Sequence, residues 1–400
     1  MGIHNYEKKY QSALQKVHEA AITPKNKELI LRFVNDLMLE GISNPRQVRY
    51  LSTIKLLAEL LQKDFDTATK EDIKQIVGMI LQRTDYSPWT KHTYKVMLRR
   101  FYKWLEGTEN YPERVAWISI RISKSEMPLP SEGDLLTEAD IQKLLHAADH
   151  PRDKAFVSML WESGCRVGEL GNLKLKNVAF DEQGTMITVL GKTGARKIRL
   201  IASTPHLSTY INTHPSSKTS ESPLWLNIGP KNHNKAMAYA TIQGLLRRLF
   251  QRAGVKKRHN PHLFRHSRAT FMAHHLTEFQ MNHYFGWTQG SRMPSTYVHM
   301  SGRDVDNAIF KMNGMQTTEK KEESQLLPRK CVRCDTINSS ESKHCNKCGG
   351  ILDIRYAVEL EEKKKEQEEI RSNADALMNM LMKDPDVQKV LLEKIAQLKA

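Results

Sequence analysis

Between residues 26 and 105 apolar side chains recur every three or four positions, the spacing that lines one face of an α-helix. Leu29, Phe33 and Leu37 make the first stripe, which Gly41 breaks. Leu51, Ile54, Ala58 and Leu61 continue it after Asn44-Pro45. Thr69 followed three residues later by Asp72 predicts a capped helix start, opening a helix through Ile73 and Ile76. A fourth helix is predicted after Pro88, with Thr90 as its cap, running to Leu105-Glu106-Gly107. Tyr94, Leu98, Phe101 and Leu105 share one face of it; Lys91, Lys95, Arg99 and Lys103 share the other.

The periodicity stops over residues 121–134, which hold two prolines and a glycine and read as a linker. Thr137 and Asp140 then repeat the capping signal and open a new domain. Met186–Leu190 and Lys197–Ile201 alternate as strands around Gly191-Lys192-Thr193-Gly194-Ala195, a hairpin. Helical spacing resumes from about Thr241 to Met312, and residues 313–330 are a polar connector. Residues 356–400 alternate acids and bases, then align Val387, Leu391, Ile395 and Leu398 on one face, with Asp384-Pro385 at the start of that last helix. No internal repeat is found. The expected fold is mainly α with a small β-hairpin or sheet, an α+β architecture. Its expected segments are a helical domain (1–120), a linker (121–134), a second domain (135–312), a cysteine-bearing module (326–353) and a charged helical tail (356–400).

Four hundred residues, 40% hydrophobic and 26% charged, suit a soluble chain of two or three domains. No apolar stretch approaches a membrane span, and Met1-Gly2-Ile3-His4-Asn5 has no apolar run of the secretion-signal kind. The chain is therefore expected to stay in the compartment where it is made. Its formal net charge of +16 is unevenly placed. From Arg355 onward nine Lys/Arg face ten Asp/Glu, so the whole positive excess sits in the first 354 residues. Domains that basic bind a polyanion, nucleic acid first among them. A membrane surface would call for a basic amphipathic helix, and none stands out.

Four of the five cysteines fall within eighteen residues, as Cys331-x-x-Cys334 and Cys345-x-x-Cys348. Two such knuckles supply a closed tetrahedral site for one structural zinc, without which so short a segment would not fold. A redox pair would not need the second knuckle.

The remaining chemistry lies in positions that matter only together. Arg166 sits in the corner Glu162–Leu170, Lys192 at the hairpin tip, and His262 and Arg265 three apart on one helical face. Phe285-Gly286-Trp287 follows, and ten residues beyond Trp287 comes Tyr297. Singly, each has an ordinary explanation as packing or solvated charge. In this order and spacing they resemble the tyrosine recombinases, the family of phage integrases, Xer recombinases and Cre. The resemblance covers about residues 26–312. Residues 285–291 and Ser301-Gly302-Arg303-Asp304 look most like archaeal members.

The resemblance implies a helical DNA core-binding domain, a catalytic recombinase domain, and a zinc ribbon and helical tail as appendages. It implies cleavage and rejoining of duplex DNA through a 3′-phosphotyrosyl intermediate, for integration, excision or replicon resolution, with no cofactor for catalysis. Tyr297 would be the nucleophile, and Arg166 and Arg265 the fixed cations for the non-bridging oxygens. Lys192 would be the acid for the departing 5′-oxygen, and His262 would assist proton transfer. Trp287 replaces the histidine of many members; an indole N–H donates but cannot shuttle protons, so its role is positional. Glu169 matches an orienting acidic position, while a surface carboxylate is the alternative. Lys197 is the rival to Lys192, Cys165 reads as a small buried filler, and His266 and His299 receive no role. Lys91, Lys95 and Arg99 are expected to face DNA. The expected partners are duplex DNA and further copies of the chain in a synaptic multimer, with a protein partner through the tail and no membrane. The expected location is cytoplasmic, on the nucleoid. A type IB topoisomerase-like relaxase and a catalytically silent zinc-ribbon DNA-binding protein are the alternatives.

Overall fold

A computed structural model describes residues 2–123, 132–230, 232–300, 309, 312–314, 324 and 326–398. It is mainly helical with two small antiparallel sheets, the α+β architecture expected. Two compact units emerge, Met1–Leu135 with Leu226–Ile242, and Leu136–Trp225 with Gln243–Ala400. Residues 226–242 group with the N-terminal segment, where the Tyr239 amide donates to the Ile3 carbonyl at 3.0 Å and the ring of His4 packs on that of Tyr239. Most of the expected linker and residues 301–308, including Ser301–Asp304, lie outside the described residues.

The first unit is built from α1 (Tyr6–Glu19), α2 (Pro24–Leu39), α3 (Asn44–Leu61), α4 (Lys70–Gln82), α5 (Pro88–Leu105) and the single turn α6 (Glu113–Ala116). Helix α1, which contributes Ala13 and Val17 to the core, was not anticipated from the apolar stripes. Thr69 and Asp72 form the reciprocal cap expected of them. Helix α5 is capped three residues earlier than its sequence suggested: the Ser87 hydroxyl accepts from the Thr90 amide at 3.2 Å. Pro88 needs no amide partner in the first turn, which makes Ser87 the better cap. The core is aromatic. Phe33 meets Tyr50 and Phe101 edge-on, and the buried Tyr102 hydroxyl donates to the Phe65 carbonyl at 3.1 Å.

The second unit opens with α7 (Glu138–Ala147), capped by Thr137 and Asp140 as expected. Helix α8 (Pro151–Ser163) is buried on nearly every side, which hides the one-faced stripe that would have marked it. After the short helix α9 (Val167–Gly171) come strands β1 (Val178–Asp181), β2 (Gly184–Gly191) and β3 (Gly194–Leu200), antiparallel in that order. Gly191 pairs with Gly194, leaving Lys192 and Thr193 as the turn. Helices α10 (Thr204–Asn212), α11 (Tyr239–Arg252, its first turn counted with the first unit), α12 (Pro261–Ala273), α13 (Glu278–Phe285) and α14 (Met293–Met300) follow. Strands β4 (Arg329–Lys330) and β5 (Ile337–Asn338) pair within the cysteine module. Two surface helices, α15 (Ile354–Leu381) and α16 (Pro385–Leu398), close the chain. No helix among the described residues is long and apolar enough to cross a membrane.

Glu162, near the end of α8, holds the second unit together. Its buried carboxylate accepts from the amides of Ile201, Ala202 and Ser203 at 2.7, 2.9 and 2.8 Å and from the Ser203 hydroxyl at 2.6 Å. Its backbone carbonyl receives Arg268 of α12 and the Tyr284 hydroxyl of α13. Glu162→Ala strands four donors, the two of Ser203 buried, so chemical denaturation should record a loss of about 2–4 kcal/mol. Glu162→Gln, which keeps one acceptor oxygen, should lose less.

Candidate active site

The site begins where α8 ends. Gly164 adopts a left-handed φ of +55°, turning the chain through the buried Cys165 so that Arg166 caps α9. The Glu169 carboxylate reaches back to the Arg166 amide at 3.0 Å and holds the Arg166 guanidinium at 2.9 Å. Arg166 keeps about a third of its side chain exposed (32%), whereas Glu169 is buried at 4%. The alternative of a surface carboxylate is therefore excluded.

A second arginine, Arg196 of β3, grips the same carboxylate at 3.2 and 2.8 Å and donates through Nε to the Tyr284 carbonyl at 2.9 Å. Burial opposes ionisation of Glu169, but the Arg196 hydrogen bond and charge, with those of Arg166, hold its carboxyl below the usual range. The chain backbone closes on this pair from two sides. A Cβ on Gly191 would lie 2.6 Å from Glu169 Oε1, and one on Gly286 would lie 2.7 Å from Arg196. Only glycine permits that approach. Arg196 was missed in the sequence, though the signal existed: with Ile198 and Leu200 it occupies the inward positions of β3, and an inward arginine requires a partner. Lys197 points outward and is exposed.

Helix α12 carries His262, Arg265 and His266. Asn260 caps it, accepting from the Leu263 amide at 2.8 Å, with Pro261 in the first turn. Arg265 is buried, and its guanidinium donates to the carbonyls of Gly164 (3.0 Å) and Phe285 (2.7 Å). It lies 5.2 Å from the Phe285 ring and 5.3 Å from the Trp287 ring. Burial and the nearby Arg166 charge lower Arg265 to about 10, so it remains cationic at neutral pH. His262 is open to solvent, yet the protein atoms crowding it, then Arg265 and Arg166, hold its imidazole below the ordinary value.

Helix α13 ends at Gly286, left-handed at φ +61°, and the turn presents Trp287. The Trp287 ring stacks on Phe285 at 4.9 Å and on Tyr297 at 5.5 Å with 7° between planes. Tyr297, on α14, is 2% exposed. Its hydroxyl lies 2.7 Å from Nδ1 of His266. Burial pushes the phenol up to about 12, against a smaller opposing pull from Arg265. Arg166, Arg265, Trp287 and Tyr297 are thus linked through one contiguous set of contacts. His266 belongs to that set although the sequence reading gave it no role; its position one turn beyond His262 on the same face was the available signal. Lys192 stands at the exposed hairpin tip, and its neighbour Thr193 donates to the Gly286 carbonyl at 3.4 Å. The His299 side chain lies outside the described residues.

The four cysteines of the C-terminal module converge, with all four sulfurs within 4.8 Å of one another. Cys331 and Cys348 are 3.6 Å apart, and Cys334 and Cys345 are 3.5 Å apart. Among the expected DNA-facing residues, Lys91 donates to the Leu81 carbonyl at 2.7 Å, and Arg99 lies 3.8 Å over the ring of Tyr111. Lys95 is half-exposed on the same helix.

Residues 134–303 match the phage integrase family; the cysteine module and tail lie beyond that match. Over 249 residues the chain is 28% identical to the tyrosine recombinase XerA of Pyrococcus horikoshii, covering 62% of this chain and 80% of the relative. The fold is shared with two solved structures. The XerH site-specific recombinase bound to palindromic difH substrate, in a post-cleavage complex, superposes with a TM-score of 0.53 at 15% identity, over 76% of this chain and 95% of that one. A lambda integrase tetramer bound to a Holliday junction gives 0.53 at 16% identity, over 69% and 78%. Residues 134–303 thus carry a phage integrase family domain, and over 62% of its length the chain is similar to a tyrosine recombinase.

Proposed function

We propose that the chain is a site-specific recombinase that cleaves and rejoins duplex DNA through a 3′-phosphotyrosyl link, with Tyr297 as nucleophile. The observation that carries this reading is the buried Tyr297 ring stacked on Trp287, which lies against Arg265, whose guanidinium holds the Gly164 carbonyl two residues before Arg166. A phosphodiester under attack spreads charge over its non-bridging oxygens and needs preorganised cations there. Arg265 is fixed by two carbonyls and has donors to spare for one oxygen. Arg166, tethered by Glu169 yet partly exposed, takes the other. The Tyr297 oxygen attacks phosphorus as the phenol proton passes to a histidine of α12, the bond to the 5′-oxygen breaks, and Lys192 gives that oxygen a proton. His262 holds the phosphate and assists proton transfer, while Trp287 aligns the phenol by stacking. The resulting phosphotyrosine stores the bond energy for a new 5′-hydroxyl, which makes the step reversible and needs no cofactor. The related structures are a DNA complex and a tetramer on a junction; by analogy duplex DNA is the substrate and a multimer the working assembly. The basic charge of the first 354 residues suits a cytoplasmic enzyme working on the nucleoid.

The cysteine module is proposed to hold one structural zinc. Sulfurs at about 2.3 Å from a tetrahedral ion lie roughly 3.8 Å apart, close to the spacings seen here. The surface helix α16, with Leu391 and Ile395 exposed, is the proposed contact for a second copy or a protein partner.

Tyr297→Phe should bind duplex DNA normally and form no covalent adduct on a nicked suicide substrate. Lys192→Ala should cleave roughly 10²–10⁴-fold more slowly and recover when the bridging 5′-oxygen is replaced by sulfur, which leaves without a proton. Arg166→Ala and Arg265→Ala should not recover. Purified protein should contain about one zinc per chain by elemental analysis, and Cys331→Ser should lose it without abolishing DNA cleavage. Neutralising Lys91, Lys95 and Arg99 together should weaken binding to any duplex and reduce the slope of log affinity against log salt by up to about three. Because Lys91 and Arg99 also serve contacts within the fold, thermal melting of the triple variant should be followed in parallel.

A further inference from the structure

We propose that His266 fixes the nucleophile, accepting a hydrogen bond from the Tyr297 phenol and so setting where its oxygen stands against the scissile phosphate. The inference rests on the reading of Tyr297 as nucleophile and adds a residue to the family's Arg–Lys–His–Arg–Trp–Tyr set.

The geometry is specific. Nδ1 of His266 lies 2.7 Å from the Tyr297 hydroxyl, with the two rings 5.8 Å apart and inclined at 39°. Trp287 covers the phenol face at 5.5 Å, nearly parallel. His262 meets the His266 ring edge-on at 4.9 Å. The phenol is therefore located by two independent constraints. Stacking on Trp287 sets the plane of its ring but leaves it free to slide in that plane, and the bond to His266 removes this freedom at the oxygen itself.

The direction of the bond follows from satisfaction of a buried hydroxyl. Tyr297 is 2% exposed, and among the described residues its hydroxyl has no other hydrogen-bond partner. A protonated phenol in that position needs an acceptor, and one without it would be strongly penalised. If His266 were the donor, the phenol proton would have nowhere to go. Burial, then the neighbouring His262 and Arg265, lower His266 to about 4, so its ring stays neutral and keeps a lone pair for the phenol over the whole range in which duplex DNA is handled. With Tyr297 at about 12, the two groups differ by roughly eight powers of ten in proton affinity. The resting pair is neutral on both sides, and His266 acts on position rather than by taking the proton ahead of attack.

Misplacing a nucleophile by about an ångström costs up to roughly 10²-fold in rate. His266→Ala should therefore form the covalent adduct on a nicked suicide duplex about 10–100-fold more slowly, with DNA affinity within about twofold of the parent. His266→Asn, whose Oδ1 occupies nearly the place of Nδ1, should restore most of the rate. Because the defect concerns the attacking oxygen, a bridging 5′-sulfur substrate should leave His266→Ala slow while it rescues Lys192→Ala. The inference is overturned if His266→Ala cleaves at the parental rate, if His266→Asn is as slow as His266→Ala, or if sulfur rescues His266→Ala. Loss of DNA affinity in step with rate would equally reduce His266 to a packing residue. Tyr297→Phe runs alongside: an adduct in that variant overturns the nucleophile itself, whereas its absence together with a parental His266→Ala overturns only the inference made here.

Discussion

The ion pair between Glu169 and Arg196 is the constraint on which the rest of the site depends. One carboxylate receives two guanidinium nitrogens from Arg196, one from Arg166 and the Arg166 backbone amide. Burying two charges is costly, and the cost is met only when nearly every lone pair and proton is used. Here that condition is met by drawing four chain segments to one point: the α8–α9 corner, the α9 helix, strand β3 and the end of α13, which contributes the Tyr284 carbonyl. Each carries or adjoins a residue of the proposed reaction. The corner presents Arg166, β3 leads back to the turn with Lys192, and the end of α13 leads into Trp287. The pair thus converts positions far apart in sequence into one geometry, and removing either member would leave a buried charge unpaired rather than a neutral gap.

The local rules served well where an element has one apolar face and a chemical stop. Thr69–Asp72 and Thr137–Asp140 cap helices as their spacing dictates, and the Gly191–Gly194 turn closes the hairpin the alternation implied. They were insufficient where burial surrounds an element, as with α8, or where a stripe is short, as with α1. The cap of α5 shifted from Thr90 to Ser87 because proline in the first turn decides the register.

The candidate site was readable as a list of residue types in order, and most of that list converges in space. Its supports were less readable, because they act through contacts across long stretches of sequence. Arg196 meets Glu169 from twenty-seven residues away, and His266 meets Tyr297 from thirty-one. Neither distance leaves a periodic trace. An inward-facing arginine on β3 and a second histidine one turn after the first were the only marks, and each signals that a partner exists without naming it. The cysteine module needed no such help, since both ends of each knuckle lie three residues apart and the chemistry is local.

Helix α15 has a mechanical consequence. It runs for 28 residues, Ile354–Leu381, directly from the cysteine module. At 1.5 Å per residue it is a rod of about 42 Å, longer than one turn of B-form duplex at roughly 34–36 Å. A straight helix resists bending far better than a flexible linker of the same number of residues, whose ends would average only about 30 Å apart. The start of α16 is therefore set apart from the cysteine module by more than the span of a single helical turn of DNA.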